Sequence, residues 1–231
     1  MYPVGYIIML NTSLKLNYLS TSSIYLFVQS LVTFLILADF TSKAKAVSAS
    51  LLIILLSLVI ETIGVQTGFP FGSYEYTKVL SPIFPGGVPL AIAFAWMTLS
   101  VNSFIILKYF LKNKYFVIFL SGLLIAFIDV MLEPFASFIN NYWIWAGSTI
   151  PFQNYLSWFV IGTAFSFILD IIIGKYIPSV KISFPIIVLT SSIFQFLLIN
   201  ILNNYYFNSV VGISGILIIF LTLFYLRKNE K

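Results

Sequence analysis

Three acids, Glu61, Asp129 and Glu133, stand within or at the end of long apolar runs. An ionised, unpaired carboxylate inside a bilayer is costly. No lysine or arginine shares these runs, so each acid must take up a proton or find hydrogen-bond donors. A carboxylic acid kept neutral in a dry site can serve as a general acid. Asp129 and Glu133 are spaced i, i+4, which puts both on one helical face, where two charges would repel. Pro134 follows and is expected to end that helix. The structural alternative is that each acid caps or bridges helices through hydrogen bonds. Other chemistry is scarce, because the chain has no cysteine and no histidine. That excludes thiol nucleophiles, imidazole-ligated metals and histidine bases.

The elements that must hold these acids follow from composition. Of 231 residues, 60% are hydrophobic and only 8% charged, with a mean hydropathy of +1.04. A soluble domain carries roughly 25% charged residues, so a soluble enzyme is excluded. The sequence predicts an all-α polytopic membrane bundle, a single integral membrane domain over residues 1–231. Its seven spans fall at about 23–40, 46–65, 88–107, 115–131, 155–173, 182–202 and 209–226. The first twelve residues are apolar but short and lack a basic leader, so they read as an interfacial segment.

Seven spans put Lys15 and Lys78 on one side and the other ten basic residues on the opposite side. The positive-inside rule then places the N-terminus outside and the C-terminus in the cytoplasm. The net charge of +5 reflects this topology, and no basic face is left for a nucleic acid. Two long connectors, about 66–87 and 132–154, fall on the outer side. They read either as functional loops or as an aromatic belt with turns. Gly64, Gly68 and Gly72 are four apart, but Pro70 makes this stretch a turn and not a helix interface. At ~1.5 Å per residue, Glu61 lies ~22 Å, Asp129 ~21 Å, Gln195 ~20 Å and Asn200 ~27 Å above the inner ends of their helices, and Trp96 ~12 Å below the outer end. These polar and aromatic groups form one layer in the outer half. Asp39 and Asp170 sit near inner helix ends, where Lys43 and Lys175 can anchor them.

Several membrane chemistries are excluded. The seventh span has no lysine for a retinal Schiff base, and without histidine there is no diiron desaturase site. The aspartate-rich pairs of magnesium-dependent prenyltransferases are missing. A channel or proton-coupled transporter stays open as a further rival; against it, these groups occupy one layer and form no continuous polar path.

The run Glu61-x-x-Gly64-x-x-Thr67-Gly68-x-Pro70-Phe71-Gly72-x-Tyr74-x-Tyr76 resembles the signature of the CruF-type carotenoid biosynthesis proteins. That family comprises carotenoid 1,2-hydratases and bisanhydrobacterioruberin hydratases. Similar elements follow in order: Gly87-Val88-Pro89 before a helix with Trp96, then Asp129-x-x-x-Glu133-Pro134, Trp143-x-Trp145 and Pro151-x-x-Asn154-x-x-x-Trp158. Together they span about 61–162. Glu133 stands where the family pattern usually carries Asp, and Ser157 where it carries Gly.

The resemblance implies a membrane enzyme that adds water to the terminal C=C of an acyclic carotenoid, with no cofactor and no metal. It implies that Asp129 or Glu133 donates the proton and that Glu61 orients or deprotonates the water. Tyr74, Tyr76, Trp96, Trp143 and Trp145 would line the end-group pocket, together with Thr67, Phe71 and Trp158 from the same motifs, and Asn154 would hold the water. The partners implied are the carotenoid in the bilayer, water, membrane lipid and other enzymes of carotenoid synthesis. Rival readings are a proton-initiated end-group cyclase and a non-catalytic isoprenoid-binding membrane protein.

Overall fold

The computed structural model describes residues 20–174 and 181–229. The expected N-terminal interfacial segment, and Lys15, Lys175 and Lys231, lie outside the described residues. The helices are α1 (Thr21–Phe40), α2 (Lys43–Thr67), α3 (Leu90–Phe110), α4 (Lys114–Glu133), α5 (Phe152–Ile173), α6 (Ser183–Leu202) and α7 (Tyr206–Asn229). All seven are long and apolar enough to cross a membrane. Their ends fall within three residues of the predicted spans.

Polar punctuation sets those ends. The hydroxyl of Ser20 accepts from the Ser23 amide at 3.0 Å, and the Asn113 side-chain Oδ1 accepts from the Tyr115 amide at 2.9 Å, each satisfying an orphan donor of a first turn. α2 stops at Gly68, whose φ of 75° is the left-handed conformation that closes a helix. The predicted turn through Gly68 and Gly72 is present, with the Gly72 amide 2.6 Å from the Gly68 carbonyl.

α3 is the central helix. In its most apolar stretch 83% of residues are buried, against 33–50% for the other six helices. α4 and α5 approach closely at Gly122 and Gly162. A Cβ on Gly122 would lie 2.7 Å from the Phe159 carbonyl and 2.0 Å from the Thr163 hydroxyl. We expect Gly122→Val to cost about 1–3 kcal/mol through overpacking. Thermal unfolding in detergent checks this, and an unchanged midpoint would contradict such close packing. At the end of the bundle away from the acids, Asp170 forms an ion pair with Lys108 of α3. The Lys45 ammonium donates to the Ile173 carbonyl at 2.9 Å.

Two features differ from the sequence expectation. Pro134 does not end the helix, because the chain continues as a π-helical segment, Pro134–Ile139. Proline has no N–H, so the Val130 carbonyl loses its helical donor. The Asn208 side-chain amide supplies one at 3.0 Å, and Asn200 does the same for the Met131 carbonyl at 2.8 Å. With both acceptors satisfied from α6 and α7, the chain can widen its winding and carry on.

The second difference is in the long connectors, which form short strands. β1 (Tyr74–Tyr76) pairs antiparallel with β4 (Trp143–Trp145), in the register Tyr74↔Trp145, Glu75↔Ile144 and Tyr76↔Trp143. β2 (Ile83–Phe84) pairs with β3 (Val88–Pro89). Side chains alternate across a strand. Tyr74, Trp143 and Trp145 are buried and Tyr76 half-buried, while Glu75 and Ile144 face out. One aromatic face therefore covers the end of the bundle where the acids lie.

Candidate active site

The paired strands join two carboxylate cradles. In the first, Glu61 of α2 is buried. Its Oε2 accepts from the hydroxyls of Tyr74 at 2.6 Å and Tyr76 at 2.7 Å. Its Oε1 accepts from the Trp96 indole at 2.8 Å. Gly64, one turn further along α2, makes room for this. A Cβ there would come within 2.9 Å of the Tyr74 hydroxyl and 2.8 Å of the Phe71 ring. Burial and the neighbouring Glu61 push both tyrosines well above the usual phenol range. They therefore keep their protons and act as donors.

In the second cradle, Glu133 closes α4 where the winding changes. Its Oε2 accepts from the indoles of Trp145 at 3.1 Å and Trp143 at 3.3 Å, and its Oε1 from the Asn154 amide at 2.8 Å. The same Asn154 nitrogen donates to Asp129 Oδ2 at 2.9 Å. Asn154 thus bridges the two acids. The strand register explains the division of labour, since each β1 tyrosine that serves Glu61 faces a β4 tryptophan that serves Glu133. Each glutamate accepts three hydrogen bonds, an arrangement suited to a carboxylate. Asp129 accepts one, and its Oδ1 has no hydrogen-bond partner among the described residues.

Glu61, Glu133 and Asn154 line one cavity, with about 910 Å³ between its atoms, open mouth included. Phe71, Tyr74, Tyr76, Trp143, Trp145 and Trp158 also line it. The remaining wall is mostly apolar and comes largely from α1, α3 and α6, with Leu132 and Phe135 beside Glu133 and Leu80 and Tyr142 from the connectors. Such a site suits an apolar ligand with a few convergent polar groups. Among the described residues, no three His, Cys, Asp or Glu side chains converge to hold a metal.

Three of the residues singled out from the sequence sit elsewhere. Asp129 is fully buried behind Glu133 and Asn154 and is not part of the cavity wall. Trp96 stands behind Trp158, stacked on it at 4.1 Å between ring centroids, and reaches the site through Glu61. Thr67 is exposed at the end of α2, where its hydroxyl donates to the Ile63 carbonyl at 2.7 Å and accepts from the Phe69 amide at 3.1 Å. Gln195 lines the cavity as its depth suggested, whereas Asn200 serves the α4 backbone. Sequence reasoning missed Gln29 and Tyr142, which also line the cavity. The signal for Gln29 was an amide inside an apolar span. Tyr142, held at about 12 by burial, donates to the Ser22 hydroxyl at 2.6 Å.

No solved structure matches the chain. A hydratase of Haloarcula japonica, bisanhydrobacterioruberin hydratase, is 31% identical over 123 residues. That match covers 50% of this chain and 42% of the relative, so it spans less than half of the relative's length. The profile of the carotenoid biosynthesis protein family matches residues 21–221, from the first residue of α1 into α7. The chain belongs to that family of carotenoid biosynthesis proteins, and seven of its helices are long and apolar enough to cross a membrane.

Proposed function

We infer that the protein hydrates the terminal C=C of an acyclic carotenoid within the membrane, with its N-terminus outside and its C-terminus in the cytoplasm. One observation carries this reading. Two separately cradled glutamates from different helices face one aromatic cavity, and a third acid, Asp129, is tied to one of them through a single amide.

Asp129 and Glu133 contact one nitrogen, so their charges interact strongly, and the pair holds one proton between them. At rest Asp129, which accepts one hydrogen bond, keeps that proton, and it passes to Glu133, which faces the cavity and delivers it. It passes to the less substituted carbon of the terminal alkene, and the π bond leaves a tertiary cation. The faces of Tyr74, Tyr76, Trp143, Trp145 and Trp158 stabilise it. Water adds its oxygen to the cation, and Glu61 takes the proton released. The sum is alkene plus water giving a tertiary alcohol. Proton return from Glu61 to the acid pair completes the cycle, and no redox step or cofactor enters. Phe71 packs edge-on against Tyr74 at 6.0 Å and holds it toward Glu61. Trp96 is a positioning residue for Glu61, and Asn154 positions the acid pair.

Co-expression in bacteria that accumulate an acyclic carotenoid, followed by mass analysis, tests the reaction. Pigments heavier by one water for each reacted end are expected. A product of unchanged mass with shortened conjugation would mean cyclisation. Unchanged pigment, with the protein folded in the membrane, would contradict a carotenoid-hydrating role on that substrate.

A further inference from the structure

The acid end of α4 is shaped from outside the cavity. Nine residues, 134–142, separate Glu133 from Trp143, and the indoles of Trp143 and Trp145 come back to bond the Glu133 carboxylate. Six of the nine are wound as the π-helical segment Pro134–Ile139. Its wider turn is closed by the Asn140 amide, which donates to the Phe135 carbonyl, five residues back, at 3.0 Å. Just before β4, the Tyr142 amide donates to the Ala136 carbonyl at 2.7 Å. The winding of this one segment therefore fixes where the indoles meet the carboxylate. π-helical turns inside α-helices are frequent at functional sites.

That winding rests on α7. Pro134 leaves the Val130 carbonyl without its helical donor, and the Asn208 amide of α7 replaces it at 3.0 Å. Asn208 is half-buried and lies outside the cavity wall. Its side chain also pairs with the Tyr155 hydroxyl of α5, and Tyr155 follows Asn154, the bridge between the two acids. One side chain thus ties together the helix that carries the acid pair and the helix that carries its bridge. The face that presents Asn208 is held tightly against α4. Asn208, Gly212 and Gly215 are four and three apart, so they share one face of α7. A Cβ on Gly212 would run into the Met131 side chain, and one on Gly215 into the Phe127 ring. Asn200 of α6 bonds the next carbonyl, that of Met131, at 2.8 Å.

We propose that Asn208 is a positioning residue for the acid pair. By standing in for the N–H that Pro134 lacks, it keeps the widened turn that brings the indoles onto Glu133. This rests on the hydratase reading for what the acid does, and the positioning itself can be read without catalysis. Among the described residues α7 supplies nothing to the cavity wall, yet it sets the geometry of the acid.

Two substitutions act on this contact from opposite sides. Asn208→Leu removes the replacement donor and keeps the proline. Pro134→Ala restores a backbone donor to the Val130 carbonyl, so the turn tightens toward ordinary α winding and Asn208 becomes redundant. The full chain in nanodiscs, labelled with 5-fluorotryptophan, gives four ¹⁹F resonances, one for each tryptophan. Replacing each tryptophan singly by phenylalanine assigns them. Both variants should shift the Trp143 and Trp145 resonances and leave that of Trp96, buried on α3 beside Glu61, in place. Asn208→Leu should lower the unfolding midpoint by about 2–8 °C when Pro134 is present, and by clearly less in the Pro134→Ala background. Turnover should fall up to about 10²-fold in either single variant with KM little changed. In Pro134→Ala this loss should come with undiminished stability, whereas a merely structural role would make turnover follow stability. If Asn208→Leu does not fold, Pro134→Ala and the double variant still decide the matter. The positioning role is overturned if the Trp143 and Trp145 resonances stay in place, if all four move alike, or if Asn208→Leu costs the same with and without Pro134. A Pro134→Ala protein working at the wild-type rate would overturn it too. Resonances that move as expected, in a protein whose wild type hydrates no carotenoid, would sustain the positioning and contradict the hydratase reading.

Discussion

Replacing Glu133 by glutamine is expected to lower carotenoid hydration by about 10²–10⁴-fold, the usual worth of a general acid. The substitution keeps shape and size and removes the proton that the acid pair delivers. It has a structural cost as well. The two indoles and the Asn154 amide around Glu133 are all N–H donors, and an N–H cannot turn to accept. One of them would meet the new amide nitrogen, at about 1–3 kcal/mol for an unsatisfied buried group. Glu61→Gln should lose activity to a similar degree with a smaller loss of stability. Two of the three donors to Glu61 are tyrosine hydroxyls, which can rotate and accept instead. Pigment mass analysis measures the first effect and thermal unfolding the second. Equal stability loss in the two variants would contradict this view of the cradles.

The second large effect is expected at Asn154. Its single nitrogen serves both Asp129 and Glu133, so Asn154→Leu strips Asp129 of its one side-chain donor among the described residues and Glu133 of one of three. The expected loss is about 1–3 kcal/mol of stability, together with most of the activity. Asp129→Asn alone should also be strongly impaired, because the shared proton goes with it. The two changes act on one network, so their effects should not add, with a coupling of about 0.5–3 kcal/mol in a double-mutant cycle. Additive losses would mean that Asn154 and Asp129 act independently and would remove the bridge from the mechanism.

The bundle was legible because the bilayer imposes length and apolarity on every span, and Ser20, Gly68 and Asn113 mark ends with local chemistry. The acids were legible for the complementary reason, since a carboxylate in an apolar run stands out. The pairing of β1 with β4 was not. Each strand is three residues long, too short to show alternation, and its partner lies far along the chain. The continuation past Pro134 was hidden for a similar reason. Whether a proline stops a helix depends on whether another donor reaches the freed carbonyl, and Asn208 is a distant residue. Thr67 illustrates the opposite error. It lies within the motif that resembles the family signature, yet its hydroxyl shapes the turn after α2 and stays out of the cavity. Membership of a motif fixes neither the direction nor the depth of a side chain.

In the proposed reaction water itself is the second substrate, and Glu133 initiates its addition. The most direct test is turnover in membranes prepared in ¹⁸O-labelled water, with an acyclic carotenoid as the only addition. A tertiary alcohol carrying one ¹⁸O per reacted end is expected, formed by the wild type and lost in a folded Glu133→Gln variant. A hydroxyl that lacks the label, or a Glu133→Gln variant that works at the wild-type rate, would contradict it.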